Sequence, residues 1–424
     1  MNTIEDLYKA FLSSTGVSTD TRTITPGSLF VALKGDNFDA NTMVAQAFDR
    51  GAAFVVTSNS DFDSDPRAFI STDTLKTLQE LATFHRQQLS IPVIGITGTN
   101  GKTTTKELTA AVLSQKYKTT ATKGNLNNHI GVPLTILSIT PDAQAAVIEM
   151  GASHPGEIAQ LAAIAQPSMG LVTNVGIAHI QGFGSFEGVK QTKAALYKQL
   201  ITTNGTAIYD PDNDDIVDMV AEYDNIVPYI AAKAVNPESE TLDIEWADAS
   251  RAHFVNTHLC GDYNLKNAQA AITVGLLLGV EPDKIDEAIA SYVPTNGRSQ
   301  VLQTSRNHVI VDAYNANPSS MNASLDNFAR HAADHKCVIL GAMRELGVEQ
   351  DPQHLHILQR LAALHLDAAI LIGPEYAKFK EQFPDFTYFD ATPDAITEVQ
   401  KLSGKYILLK GSNSNKLSQL TEYL

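Results

Sequence analysis

The residues Gly95-Ile96-Thr97-Gly98-Thr99-Asn100-Gly101-Lys102-Thr103-Thr104-Thr105 bring together what phosphate binding needs. Glycines let backbone N–H groups turn inward around phosphate oxygens, and the start of a following helix adds positive potential. In this pattern Lys102 neutralises the β and γ phosphates of a nucleotide and the Thr103 hydroxyl holds Mg²⁺. Thr99, Asn100, Gly101 and Thr104 complete the candidate phosphate contacts. The general P-loop pattern wants glycine five residues before Gly101, and that position is Ile96, which disfavours a P-loop motor or GTPase. The competing reading is an ordinary Gly-rich strand–helix turn, against which Gly-Lys-Thr in this setting argues.

Two more candidates follow. Glu149 closes the apolar run 145–149, and His179 lies just beyond the run 170–175. A carboxylate, an imidazole, the Thr103 hydroxyl and phosphate oxygens would make a Mg²⁺ environment, although imidazole is an unusual ligand for that hard ion. Read singly, Glu149 is a solvated strand end and His179 a core or loop histidine. Lys190 and Lys193 fall at helical spacing in the segment 188–197. Asn264 and Asn267 open a further helix, where Asn is also an ordinary cap. No Gly-x-Ser-x-Gly elbow accompanies them.

The elements that must hold these residues alternate short apolar runs with helical patterns, the signature of parallel sheets with crossover helices. Residues 28–35 read as a strand-like run ending in Lys34-Gly35, and 52–57 as another strand. Arg86-Gln87-Gln88-Leu89-Ser90 before Pro92 reads as a polar boundary. The run 93–97 is a buried strand followed by a helix from about Lys102 to Gln115. Runs at 145–150 and 170–175 end in polar or small residues, where an open α/β sheet places its site. The acidic stretch 210–215 reads as a solvated loop, and a helix covers about Leu265 to Leu278. Pro294 and Gly297 mark a second boundary, beyond which runs at 308–312, 337–341, 368–373 and 406–411 form a second α/β unit.

The segment Gly98-Thr99-Asn100-Gly101-Lys102-Thr103-Thr104 after a strand resembles the ATP loop of the Mur ligases. The resemblance covers nearly the whole chain. It runs through Asn125-Leu126-Asn127-Asn128 with Ile130-Gly131-Val132-Pro133, Glu149-Met150-Gly151, and Thr173-Asn174-Val175-Gly176-Ile177-Ala178-His179. It continues through Gly297-Arg298, Asp312-Ala313-Tyr314-Asn315-Ala316-Asn317-Pro318 and 340–347. It implies an α/β chain of three domains: a small N-terminal α/β domain for the UDP substrate (1–88), a central P-loop-type ATP domain (89–294) and a C-terminal Rossmann-like domain (295–424). It also implies an ATP-dependent, ADP-forming amide ligase acting through an acyl phosphate, with ATP and Mg²⁺ as cofactors. The Tyr314–Pro318 and Met343–Gly347 segments are similar to the member that adds D-alanyl-D-alanine to UDP-N-acetylmuramoyl tripeptide in peptidoglycan precursor synthesis. The alternative is another member that adds a single amino acid.

By the same resemblance Glu149 and His179 serve the metals, and Lys193 is carbamylated by CO₂, which turns a cation into a metal-binding anion. Lys190 is the runner-up, and Ala195 stands where the family more often has Glu. Asn264 and Asn267 face adenine, Arg298 reaches the ATP phosphates, and Asp312 bonds the ribose. Asn315 and Asn317 belong to the dipeptide pocket, although a structural turn also explains Asn-Pro. Asn125 and Asn128 fall in the substrate-facing central segment. Ser18, Asp20 and Arg22, with Lys34 and Gly35, hold the UDP-sugar. Two departures stand out: Ala40-Asn41 replaces the usual Gly-His, and Asn413 replaces an Arg. His354 is read as structural.

Composition bounds these readings. At roughly 150 residues per domain, 424 residues make about three domains. The net charge of −16 argues against general nucleic-acid binding. Two cysteines, Cys260 and Cys337, build no disulfide framework and point to a reducing compartment. No basic–apolar leader and no long apolar span are read, so a cytoplasmic monomer with no membrane span is the expectation. A nucleotide-binding scaffold without catalysis is the rival from another class, and the intact Lys102, Thr103, Glu149, His179, Lys193 and Asp312 argue against it.

Overall fold

The computed structural model describes residues 3–178, 180–236, 239–295 and 297–424. Four sheets carry it, together with a short hairpin. The first is a four-stranded parallel sheet of Val17–Ser18, Leu29–Val31, Phe54–Thr57 and Ala68–Ile70, in that order. Chain order and spatial order coincide here.

The central sheet has six parallel strands in the order Ile226–Pro228, Thr206–Tyr209, Met169–Val172, Val93–Thr97, Ala145–Glu149, Thr119–Ala121. Val93–Thr97 and Ala145–Glu149 are buried at every position, because helices cover both faces, and their unbroken apolar runs reflect that. The strand Val93–Thr97 is flanked by Ala145–Glu149 on one side and Met169–Val172 on the other. The chain changes direction across the sheet there, and the crevice beyond the strand ends is where such sheets bind ligands. An antiparallel three-stranded sheet, Ala232–Ala234, Thr241–Ala247 and Ala252–Cys260, leans on the helices Asn264–Leu277 and Pro282–Ser291.

The last sheet has six strands in the order Gln300–Gln303, His308–Asp312, Tyr406–Lys410, Lys336–Gly341, Ala368–Ile372, Thr387–Phe389; only the first pair is antiparallel. This confirms the α/β class and the Rossmann-like unit at the end of the chain.

Several local expectations change. The run 28–35 is not one strand. Leu29–Val31 pairs in the sheet, whereas Lys34–Gly35 turns out into a hairpin with Phe38–Asp39. The helix expected to reach Gln115 ends at Leu113, and the one expected from Leu265 begins at Asn264. The antiparallel sheet at 232–260 was not read from sequence, nor were the strands Val17–Ser18, Ala68–Ile70, Thr119–Ala121, Thr206–Tyr209, Ile226–Pro228, Gln300–Gln303 and Thr387–Phe389. The acidic stretch is not wholly solvated: Asp210 is buried and accepts a hydrogen bond from Lys266 Nζ at 2.7 Å, and Asn213 caps the helix Asp214–Val220.

In the polar stretch at 86–90, Gln87, Gln88 and Ser90 are exposed, but Arg86 is buried. The helix Thr74–Gln87 runs into it, and His85 and Arg86 of its last turn are buried. The Arg86 guanidinium donates to the carbonyls of Ala165 (2.9 Å), Gln166 (2.9 Å) and Leu89 (2.8 Å). Two of these lie at the C-terminal end of the helix Glu157–Ala165, where carbonyls lack intrahelical partners and a cation is favoured. One apolar cluster joins Leu7, Phe11, Leu78 and Leu81 to Val132, Ile136 and Ile158.

Candidate functional site

The turn between Val93–Thr97 and Lys102–Leu113 is built so that only glycine fits at two points. Gly98 has φ +143° and a Cβ there would meet Thr173 Oγ1 at 2.0 Å; Gly101 has φ +78° and a Cβ would meet Asn267 Oδ1 at 2.4 Å. Non-glycine residues are strained in that backbone region. The loop is clamped from the neighbouring strand end. Asn174 Oδ1 accepts from the Asn100 N–H (2.9 Å), and the Asn100 carbonyl accepts from Thr173 Oγ1 (2.6 Å) and Asn174 Nδ2 (3.0 Å). Lys102 Nζ donates to the carbonyls of Gly98 (2.8 Å) and Thr99 (2.9 Å). Burial, with Arg298 adding to it and Glu149 opposing it, lowers the Lys102 ammonium to about 8.

A cavity of about 650 Å³ opens at this loop. Thr99, Asn100, Gly101, Lys102, Thr103 and Thr104 line one wall, with Asn128, Glu149, Asn264 and Asn267 from the central unit and Arg298, Asp312, Asn315 and Asn317 from the last. Residues far apart in sequence therefore meet at one place. Glu149 is 1% exposed. Asn127 Nδ2 donates to its Oε1 at 2.8 Å, while its buried Oε2 has no hydrogen-bond partner among the described residues. A buried carboxylate oxygen left open is costly unless a cation meets it. With the Thr103 hydroxyl nearby in the wall, the oxygen donor set suits Mg²⁺.

Asp312 is held rigidly: its Oδ2 accepts from Lys410 Nζ (2.5 Å) and Ser324 Oγ (2.8 Å), and its Oδ1 from the Ser299 N–H (3.2 Å). The Arg298 guanidinium stacks 3.6 Å over the Tyr314 ring, and its buried Nε has no partner among the described residues. Asn264 Nδ2 donates to the Cys260 carbonyl (2.7 Å), and Asn267 links Asn264 to Thr105. Asn317 caps the helix Pro318–Arg330 with a reciprocal Ser320 bond, and Asn128 Oδ1 accepts from the N–H groups of Ile130 and Gly131, at the entry to the helix Gly131–Leu137.

Lys193 does not line the cavity. It is 2% exposed in the helix Phe186–Thr203, with Nζ 5.5 Å from the Phe183 ring centre. Burial first, and the Lys102 charge second, lower its ammonium to about 7. Lys190, by contrast, pairs with Asp215 (2.8 Å) and Asp218 (3.2 Å). His179 lies outside the described residues.

Other predicted residues lie away from this cavity. Asn125 is exposed, and its neighbour Asn127 lines the wall instead. Ser18, Asp20, Arg22, Lys34 and Gly35 sit in the first unit. Arg22 and Asp20 pair at 2.6 Å with Arg22 83% exposed, which holds the Asp20 carboxyl down at about 2, and Lys34 pairs with Asp39 at 3.1 Å. The departure Asn41 is buried and structural: its Oδ1 accepts from Thr57 Oγ1 (2.8 Å) and the Ser58 N–H (2.7 Å). Asn413 is exposed. His354 is buried and accepts from the Met343 N–H at 3.1 Å, a packing role. Lys410, Tyr263, Ser319 and Ser324 line the cavity and were not chosen from sequence. Lys410 carried a signal in the apolar run 406–409 that ends in Lys410-Gly411-Ser412, and Tyr263 in standing just before Asn264.

Comparison with known proteins fits this geometry. The Mur ligase middle domain matches residues 96–275, and the Mur ligase, glutamate ligase domain matches 297–413. The UDP-N-acetylmuramoyl-tripeptide–D-alanyl-D-alanine ligase of Escherichia coli (strain K12) is 34% identical over 99% of this chain and 95% of its own length. The crystal structure of MurF from Acinetobacter baumannii superposes with a TM-score of 0.87 at 28% identity, over 99% of this chain and 98% of that one. MurF ligase from Thermotoga maritima in complex with ADP superposes at 0.85 with 27% identity, covering 97% of each chain. The two matched segments meet at the cavity described above, and with 34% identity to a member over nearly the whole length they establish that this chain belongs to the Mur ligase family.

Proposed function

We propose that the chain is an ATP-dependent, ADP-forming amide ligase that joins D-alanyl-D-alanine to UDP-N-acetylmuramoyl tripeptide, a cytoplasmic step in making peptidoglycan precursors. The observation that carries this reading is the shared cavity: a phosphate loop, a buried carboxylate with an open oxygen, and Arg298, Asp312, Asn315 and Asn317 of the last unit face one space. A kinase-like phosphate site alone would not need the second wall.

In this reading residues 1–88 anchor the UDP-sugar through Ser18, Asp20, Arg22, Lys34 and Gly35. Residues 89–294 bind ATP, and 295–424 close over it. The tripeptide carboxylate attacks the γ-phosphorus, the bond to the bridging oxygen breaks, and ADP leaves an acyl phosphate. The dipeptide amine then attacks the acyl carbon, phosphate departs, and the amine proton passes to solvent. Lys102 and Arg298 offset charge that grows on the phosphoryl oxygens. Asn264 and Asn267 hold the adenine side and Asp312 the ribose. Asn128, Asn315 and Asn317 orient the two peptide substrates. Thr103, Glu149, His179 and carbamylated Lys193 would hold Mg²⁺, which supplies positive charge against those same oxygens when bound. No cysteine nucleophile is needed: burial pushes the Cys260 thiol up to about 12 and Cys337 up to about 11.

Phosphate release from ATP tests the assignment. It should require UDP-N-acetylmuramoyl tripeptide and D-alanyl-D-alanine together. Full turnover with a single amino acid in place of the dipeptide would move the chain to the other branch of the family.

A further inference from the structure

Asn100 lies inside the phosphate loop, yet its side chain turns away from the loop. Its backbone is fully engaged by Thr173 and Asn174. Its side chain crosses to the last unit: Asn100 Nδ2 donates to Ser319 Oγ at 2.9 Å, and Asn100 Oδ1 accepts from Asn317 Nδ2 at 2.7 Å. Ser319 Oγ in turn donates to Asn317 Oδ1 at 2.9 Å. The three side chains close a ring of hydrogen bonds at the first turn of the helix Pro318–Arg330, whose cap is Asn317. The contact is tight on both sides: a Cβ at Gly176, which bonds Thr99, would meet Ser319 Oγ at 2.9 Å.

We infer that Asn100 is a positioning residue that locks the acceptor side of the cavity onto the phosphate loop, rather than a ligand of the phosphates. The ring has a mechanical consequence. The loop holds the phosphoryl donor, and the segment 315–319 belongs to the wall that receives the amine. Distance between donor and acceptor is set where these two walls join, and errors of about 1 Å there cost on the order of a hundredfold in rate. A residue that joins the walls without touching nucleotide should affect turnover and leave nucleotide affinity alone. The inference rests on the ligase reading given above.

Asn100→Ala, Ser319→Ala and the double variant test it in the full-length chain. The wild-type protein is first shown to release phosphate only with all three substrates; failure at that stage counts against the ligase reading and not against the ring. Each single variant should then lose about tenfold or more in kcat, with KM for ATP and Kd for ADP within about twofold of wild type. The double variant should lose no more than the worse single variant, the mark of residues acting through one contact. Melting curves check that each variant folds, and Ser319→Ala carries the test if Asn100→Ala does not. A rise of tenfold in Kd for ADP with Asn100→Ala, or strictly multiplicative losses in the double variant, would overturn the inference.

Discussion

Lys193 puts an amine where burial opposes its charge, and the consequences run in opposite directions for stability and for chemistry. Its ammonium falls from the ordinary 10.5 to about 7 in the folded chain. The unfolded chain keeps the higher value, so the fold binds fewer protons between the two. The cost of burying this amine is therefore fully present below pH about 7, and it fades as pH rises toward 10.5. At neutral pH it amounts to about a few kcal/mol. Only the neutral amine attacks CO₂, so the same depression makes Lys193 ready to become a carbamate near pH 7, and less so in acid. Lys193→Met should raise the melting temperature by several degrees while cutting ligase turnover by about a hundredfold, the exchange expected at a functional site. Unchanged turnover together with higher stability would show an ordinary buried lysine and remove it from the metal site. Single residues were legible in the sequence where backbone geometry demanded a type. Gly98, Gly101 and Lys102 follow from what a phosphate turn requires. Asn127 was not legible, because nothing in Asn125-Leu126-Asn127-Asn128 says which asparagine points at Glu149; that depends on how the loop folds back on the strand.

At the scale of elements, the seam made by the helix Thr74–Gln87 shows where sequence patterns mislead. Arg86-Gln87-Gln88 reads as a polar boundary because arginine is mostly exposed, yet the tertiary setting supplies two carbonyls, of Ala165 and Gln166, that no local pattern announces. The inner strands of the central sheet, in contrast, were legible from their apolar runs, since both faces are covered, whereas the shorter strands Thr119–Ala121, Thr206–Tyr209 and Ile226–Pro228 were not. The turn into a hairpin at Lys34–Gly35 was hidden because the run continues through it without a break. The seam also holds His85, whose Nε2 pairs with the Ile139 carbonyl (3.0 Å) and whose Nδ1 meets Tyr8 Oη (3.2 Å). Burial keeps the imidazole below its usual 6.5, and the Ile139 carbonyl only partly offsets that. For a base depressed in the fold, stability is present above the unfolded value and is lost as pH falls through the folded one. Acid below about pH 6.5 should therefore loosen the first unit from the centre. Arg86→Ala should do so at any pH, by about 2–4 kcal/mol, because it strands buried carbonyls. Urea denaturation at pH 7.5 and pH 5.5 separates the two. A variant as stable as wild type would mean that water replaces the guanidinium at no cost.

The whole molecule carries a net charge of −16 and yet belongs to a family in which a solved member holds ADP. The three-unit plan was legible from length and motif order, whereas the balance of charge inside the cavity was not, because it depends on which chain segments meet. Among the described residues the lysines and arginine around that cavity are Lys102, Arg298 and Lys410, and they face the carboxylates Glu149, Glu157 and Asp312. The fixed charges cancel. Lys410 is further committed to Asp312 at 2.5 Å, and Arg22, read as a UDP-sugar contact, pairs with Asp20 in the first unit. A triphosphate entering such a space meets no surplus of positive charge, and the field of the acidic surface opposes it. Divalent metal must therefore contribute to nucleotide affinity as well as to the chemical step. Calorimetric titration with a non-hydrolysable ATP analogue should show at least about a tenfold weaker Kd after chelation of Mg²⁺. The melting temperature should rise with the analogue only when Mg²⁺ is present, as binding to the folded state alone requires. Glu149→Gln, which keeps the shape but not the charge, should bring the metal-free affinity closer to the metal-bound one by removing a repulsive neighbour. Equal affinity with and without Mg²⁺ in the wild-type chain would mean that Lys102 and the loop N–H groups hold the phosphates unaided, and that the metal enters only at phosphoryl transfer.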